Sequence, residues 1–350
     1  MSCPALLIRL RPQGPWRPGS RTGDRQEVET VLHSDTIFSA VTGALRELGW
    51  LEAWVNASAG EDPPAVRFSS FFPWLDSTLL IPPPMSHWPP PVPHKLRLKA
   101  MRFVPIQVAV DCVRGVWPHE EEWRTDGPSG CLVPADAPSG PFRTHYRVRT
   151  PVDRISGASV SADRIAVLEF REGAGWWGLA LFRDAEAQQQ WEPAVRAAFR
   201  LLADSGIGGG KTNGWGRFWQ PQFTRGEFPS LVATQLESLA NESSEQEESA
   251  EAIEVVRGFW LWSLYNPHPE DSVAWEEASY RTLVRGGRVE SLGEWGLPKR
   301  SVRMIEEGSV LRTDGELRGR LTDVAPEGFP HPIYRCGFAV GVPIQWRRPR

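Results

Sequence analysis

Two stretches of this chain repeat their apolar residues at the three- and four-residue spacing of an amphipathic helix, while most other apolar runs alternate like strands. Any fold must therefore set two helices among many strands. The first stretch, "LHSDTIFSAVTGALRELGWLEAW", places Ile37, Val41, Ala44, Leu45 and Leu48 on one face, with Ser34 or Asp35 as N-cap. The second, "DAEAQQQWEPAVRAAFRLLADSG", lines up Val195, Ala198, Phe199 and Leu202 and stops at Gly206. "PALLIRLRP" precedes the first as a strand. "VRFSSFFPWL", "DRIAVLEFRE" and "WWGLALF" lie between the two, and "RFWQPQFTRGEF" follows the second. The order β, α, several β, α, loop, β over residues 1–225 predicts an α+β, elaborated ferredoxin-like (RRM-like) domain.

Between these elements lie stretches of another character. "IPPPMSHWPPPVP" holds seven prolines in thirteen residues, which excludes helix and central strand and predicts an exposed extended connection. "HKLRLKAMRFVPI" alternates, with Lys95, Arg97 and Lys99 on one face. Residues 111–141 show no period and predict an inserted hairpin or loop. In "FRTHYRVRTPVDR", Arg143, His145, Arg147 and Arg149 share strand parity, with Arg154 just beyond. The Ser/Glu tract at 226–252 reads as an acidic linker, and 253–350 as a mostly β second domain, a degenerate copy of the first.

Net charge is −4, but Glu237, Glu242, Glu245, Glu247, Glu248, Glu251 and Glu254 sit in one tract, and without them the balance turns positive. Local cationic patches, not the total, govern affinity for phosphates. Cys3, Cys112, Cys131 and Cys336 form no C-x-x-C pair, so buried thiols are expected in place of a metal centre or disulfide framework. With no long apolar run and no leader-like N-terminus, a cytoplasmic location with no membrane association is expected.

The stretch "DSGIGGGKTNGWGRFW", residues 204–219, nearly matches a phosphate-binding P-loop, but Ser205 stands where the first glycine is needed. A P-loop also leaves a strand and enters a helix, whereas this loop leaves a helix and meets Gly214 and Gly216. Nucleotide hydrolysis is set aside. The alternatives are a flexible turn, or a loop that offers backbone N–H groups, the cations Lys211 and Arg217 and the flat face of Trp215 to an RNA backbone.

Taken in order, "LHSDTIFSAV", "SSFFPWL" with "LLIPPP", "THYRVRTPVDRISGAS", "SGIGGGKTNGWGRF", "MIEEGSVL" and "HPIYRCGFAVGVPI" resemble the RAMP subunit that caps the 5′ end of the guide in type III-A CRISPR (Csm) effector complexes. The resemblance spans Leu6 to Ile344. It implies two ferredoxin-like domains with an inserted hairpin thumb, for which residues 111–150 are the candidate, and a glycine-rich loop at 205–217. It also implies a noncatalytic subunit without cofactor or metal that binds the 5′ handle of crRNA, with target RNA nearby. The implied protein partners are the large polymerase/cyclase subunit and the first backbone RAMP subunit.

Carried over by position, the RNA-facing set is Gly206, Gly208, Gly209, Gly210, Lys211, Thr212, Asn213, Gly214, Trp215, Gly216 and Arg217, together with His33, Ser34 and Asp35 at the start of the first helix. Arg143, Arg147, Arg149 and Arg154 add cations suited to a single-stranded handle. Two other readings stay open. One is a metal-independent RNA-processing endoribonuclease that uses His33 as general acid or base, and the other is a protein-only scaffold.

Overall fold

The computed structural model describes residues 2–60, 63–90, 97–159, 161–233, 236, 257–290, 295–313 and 315–345. Chain order begins with β1 (Cys3–Leu10), α1 (Ser34–Glu47), α2 (Leu51–Ala59), β2 (Val66–Phe68), β3 (Phe72–Leu75), β4 (Thr78–Ile81) and β5 (Val104–Pro105). Next come α3 (Ile106–Val113), β6 (Trp123–Asp126), β7 (Cys131–Pro134), β8 (Phe142–Arg149), β9 (Asp163–Phe170), β10 (Ala174–Phe182), α4 (Ala185–Ser205) and β11 (Gln222–Phe228). The main sheet runs β11-β1-β10-β3-β4-β5, with β2 beside β3 on β10. Counting β2 and β3 as one interrupted strand, the core is a β-α-β-β-α-β unit in which β1 lies between β11 and β10, both antiparallel to it.

The interruption at Ser69–Phe71 has a purpose. Ser70 N–H donates to the Trp262 carbonyl and Phe71 N–H to that of Leu32, so the chain leaves the sheet to bind two other segments. The Phe71 ring fills the space left by Gly178, where a Cβ would fall 2.1 Å from it. It stacks on Phe199 of α4 at 5.7 Å. Helices α1 and α4 thus cover one face of the sheet. Asp184 caps α4 by accepting from Ala187 N–H at 2.7 Å, and Gly206 ends it with a φ of 82°.

The C-terminal half, whose Trp260 and Trp262 lie over the opposite face and whose Tyr334–Phe338 strand packs against α1, adds the strands β12 (Arg257–Leu261), β13 (Thr282–Arg285), β14 (Arg288–Glu290), β15 (Trp295–Pro298), β16 (Val302–Ile305), β17 (Val310–Arg312), β18 (Gly319–Asp323), β19 (Tyr334–Phe338) and β20 (Gly341–Gln345). They form a three-stranded sheet, β17-β12-β20, and three two-stranded pairs. No α-helix occurs among the described residues of this half. Trp177 of β10 meets Trp262 edge to face at 6.2 Å, and Trp262 packs on Phe228 and Trp260. One hydrophobic cluster runs from Ala5 through Trp177 to Ile344, so the two halves share a core.

Four local expectations differ from the structure. The first helical run breaks at Gly49 into α1 and α2, whose Trp54 packs on Phe38. Residues 106–113, where the alternating run meets the segment expected to be a hairpin or loop, form the buried helix α3, with Ile106, Val108, Ala109 and Val110 covered. Of the alternating run at 94–106, residues 94–96 lie outside the described ones, and Leu98–Ala100 is a 3₁₀ turn. The proline segment is not an exposed connection over its described part. Pro83, Pro84 and Pro90 are buried, the Pro82 carbonyl accepts from Trp260 Nε1 at 3.2 Å, and Met85 N–H donates to the Gly308 carbonyl. Proline offers no N–H that needs a partner there, which suits a brace squeezed between two halves.

Candidate nucleic-acid interface

Loop 206–217 folds back on the segment from Pro12 to Arg25. Gly209 N–H donates to the Arg17 carbonyl at 2.8 Å, Gly216 N–H to that of Pro15 at 3.0 Å, and Ile207 N–H to that of Gly216 at 3.1 Å. Gly206, Asn213, Gly214 and Trp215 N–H groups are likewise spent on carbonyls. Seven of the twelve backbone N–H groups in the loop are thus engaged within the protein. The glycines serve packing. At Gly216, with φ 76°, a Cβ would fall 2.1 Å from the Ile207 carbonyl oxygen, and at Gly210 one would strike the Trp215 ring. What the loop presents outward is side chains: Lys211, Thr212, Asn213 and Arg217 are exposed, and Trp215 is half-buried.

Strand β8 brings the second set of cations to this loop. It pairs with β9 over the whole span from Phe142↔Phe170 to Arg149↔Asp163, and residues 143–149 are exposed. Arg143, His145, Arg147 and Arg149 share one face, as the parity predicts. The Arg149 guanidinium lies 5.0 Å over the Trp215 ring, joining hairpin and glycine loop in one surface. Arg147 is ion-paired to Glu169, and Arg25 holds Asp163 at 2.5 Å. Arg154 is exposed on the hairpin tip, where Asp153 accepts from the Ile155 and Ser156 N–H groups and Ile155 stands 97% exposed.

The protruding hairpin is thus 142–170. The candidate thumb span 111–150 instead contains the end of α3, the β6–β7 hairpin and the first strand of the projecting one. Sequence reasoning passed over Arg17, whose Nη1 donates to the Ala166 and Arg25 carbonyls, and the Arg11–Trp219 and Arg164–Tyr146 cation–π pairs. The Gly/Pro/Arg composition of residues 12–30 was the available signal.

His33, Ser34 and Asp35 are withdrawn from the RNA-facing set, because all three are buried. Ser34 accepts from Leu264 N–H at 3.1 Å, and its N–H donates to Ser70 Oγ at 2.8 Å. Neither Ser34 nor Asp35 caps α1; the N-cap is His33, without a side-chain bond, and both others lie in the first turn. Asp35 is gripped by Arg285, through Nε at 2.9 Å and Nη2 at 3.0 Å, and by Arg335. Burial alone would raise its pKa, but the two guanidiniums hold it well below the usual carboxylate range. His33 lies between Glu307, with Nδ1 to Oε1 2.8 Å, and Glu29, with Nε2 to Oε1 3.3 Å. Burial alone would lower its pKa, yet attraction to Glu307 and contacts with both carboxylates push it up to about 10. An imidazolium clamped between two carboxylates, its side chain only 8% exposed, is poorly placed to shuttle protons on RNA.

Among the described residues, no group of three or more His, Cys, Asp or Glu is arranged to hold a metal ion, and no helix is long and apolar enough to cross a membrane.

Residues 257–344 match the family described as CRISPR Csm4 C-terminal domain. Over the whole chain, the fold is that of a chain in the Csm3–Csm4 subcomplex of the type III-A CRISPR-Cas interference complex, with TM-score 0.64, 15% identity and coverage of 97% of this chain and 99% of that one. A chain of the Csm1–Csm4 cassette in complex with pppApA matches at TM-score 0.53 and 16% identity, and one of the cassette in complex with cA4 at 0.54 and 16%; both matches cover 98% of this chain and 99% of that one. No curated protein matches the chain. The chain resembles Csm4, the component common to these assemblies, in fold from end to end and in its C-terminal sequence.

Proposed function

We propose that this chain is a noncatalytic, RNA-binding subunit of a type III-A CRISPR effector complex, seating the 5′ handle of crRNA and linking the large polymerase/cyclase subunit to the backbone RAMP subunits. The observation that carries the RNA reading is the meeting of Arg149 with Trp215, which fuses the exposed cations of β8 and the glycine loop into one surface with aromatic faces. Cations for phosphates beside rings for unstacked bases suit a single strand. The partners follow from the likeness to chains solved in Csm1–Csm4 and Csm3–Csm4 assemblies. The buried, carboxylate-clamped His33 favours the noncatalytic reading over a His33 nuclease.

The test is handle-RNA binding by Lys211→Ala with Arg217→Ala, measured across a salt series. Loss of two phosphate contacts lowers affinity and flattens the slope of log K against log salt by about 1.4. Unchanged affinity and slope would remove the loop from the interface. Intact assembly with protein partners but no RNA crosslinks from the loop would favour a protein-only scaffold.

A further inference from the structure

Hydrogen bonding between the chains of β1 and β11 continues past Leu10. Pro12 bridges Phe218, Trp219 N–H donates to the Arg11 carbonyl at 2.9 Å, and Gln13 N–H donates to that of Arg217 at 3.0 Å. Arg217, at the end of the glycine loop, is therefore also a rung of an extended ladder that leads back to β1. Side chains alternate along such a ladder. Phe218 is buried, with its ring 6.0 Å from that of Trp16, whereas Arg217 and Trp219 on either side of it are exposed.

Arg9 and Arg11, two residues apart, each lie over a tryptophan. The Arg11 guanidinium is 5.6 Å from the Trp219 ring centre, and the Arg9 guanidinium is 5.7 Å from that of Trp74. Trp74 is buried and seats Arg9, while Trp219 is 52% exposed. Neither guanidinium makes an ion pair or hydrogen bond among the described residues. Arg9 is half-buried, and burial lowers its pKa with no carboxylate to offset the loss. Asp76, two residues beyond Trp74, is held by Arg171 at 2.6 Å. A guanidinium withdrawn from water without an anion is costly until one arrives.

We propose that the RNA surface extends from Arg217 along this ladder, with Arg11 and Arg9 binding successive phosphates of a single strand and Trp219 stacking an unpaired base. The extension rests on the RNA-binding role proposed above and gives the strand a path beyond the glycine loop. Residues two apart on an extended chain share a face at a separation of about 6.6 Å. That spacing is close to the step between neighbouring phosphates of an extended strand. An acidic peptide would supply anions for the two arginines but no flat group for the indole, whereas a single strand supplies both.

The experiment photocrosslinks the full chain to handle RNA carrying 5-iodouridine at successive positions, maps the adducts, and measures affinity across a salt series. Adducts on Trp219 from one position and on the glycine loop from another support the path. Arg9→Gln with Arg11→Gln lowers affinity and flattens the slope of log K against log salt by about 1.4, as expected for two phosphates of a single strand. Trp219→Ala lowers affinity about tenfold and leaves the slope unchanged, because stacking releases no counterions. The path is overturned if no position crosslinks to Trp219, or if the Arg9 and Arg11 pair keeps normal affinity and slope while Lys211→Ala with Arg217→Ala lowers both. In either case the RNA-binding role of the loop stands. Normal binding by both pairs removes that role as well. Full binding by Trp219→Ala, with RNA displaced by a poly-glutamate peptide, would assign the arginines to an acidic partner and overturn the RNA path. Because Arg9 is half-buried, melting is recorded for its variant, and Arg11→Gln with Trp219→Ala, both exposed, decides the matter if that protein fails to fold.

Discussion

Six groups in the ionic cluster come from distant parts of the chain. His33, Asp35 and Glu29 belong to the first half, and Arg285, Arg335 and Glu307 to the second. Because the folded pKa of His33 lies near 10, above the ordinary imidazole value of about 6.5, the folded state keeps a proton that the unfolded chain loses. That contribution is complete below about pH 6.5 and disappears as pH rises through about 10. Stability should therefore decline with pH across this window by at most about 1.4 kcal/mol per unit, measured by urea unfolding at several pH values. In His33→Gln that decline flattens. At neutral pH the variant loses about 3–5 kcal/mol, because two buried carboxylates lose the cation between them. None of this pairing is visible in the sequence, where "HSD" shows the residue types of a helix cap or a hydrolytic site and not the two arginines some 250 and 300 positions away.

Elements were more legible than residues wherever the apolar period was strong. Helix α4 was readable from its apolar period and its stop at Gly206, which act locally, and β1, β10 and β11 likewise follow from their own side chains. The proline brace and α3 were not legible, because their state is decided by what covers them: Trp260 and Gly308 for one, the apolar surroundings of Ile106 and Val110 for the other. The β8–β9 hairpin stands between these cases. Its basic parity was readable, but its true limits depended on β9 pairing with the whole of β8. Since Ile155 is almost wholly exposed at the tip, Ile155→Ser should change thermal stability by no more than about 0.5 kcal/mol. If the tip enters paired RNA as an apolar wedge, the same variant lowers affinity for a guide–target duplex while leaving handle binding intact, which a two-substrate binding assay resolves.

For the whole molecule, the decisive feature is that the sheet is covered on both sides by different parts of the chain. Helices α1 and α4 take one face, and Trp260, Trp262 and their neighbours take the other, so the described residues before and after the acidic tract share one core. The full chain should unfold in one calorimetric transition. A fragment ending at residue 233, stripped of the cover over Trp177 and Phe228, should aggregate or bind a hydrophobic dye strongly, as a large bare apolar patch does. The ferredoxin-like order was foreseeable because it rests on local periods. The shared core was not, since the strands after residue 257 look the same whether they fold back on the first sheet or stand alone. A temporal consequence follows from the same cover. Strand β11 completes the first sheet at Phe228, but the last strand that seals it ends at Gln345. At roughly 5–20 residues per second, a ribosome leaves that tryptophan-lined face open for on the order of ten seconds in every round of synthesis. The nascent chain is therefore a client for chaperones, or for an early-arriving partner, before it is a subunit of anything.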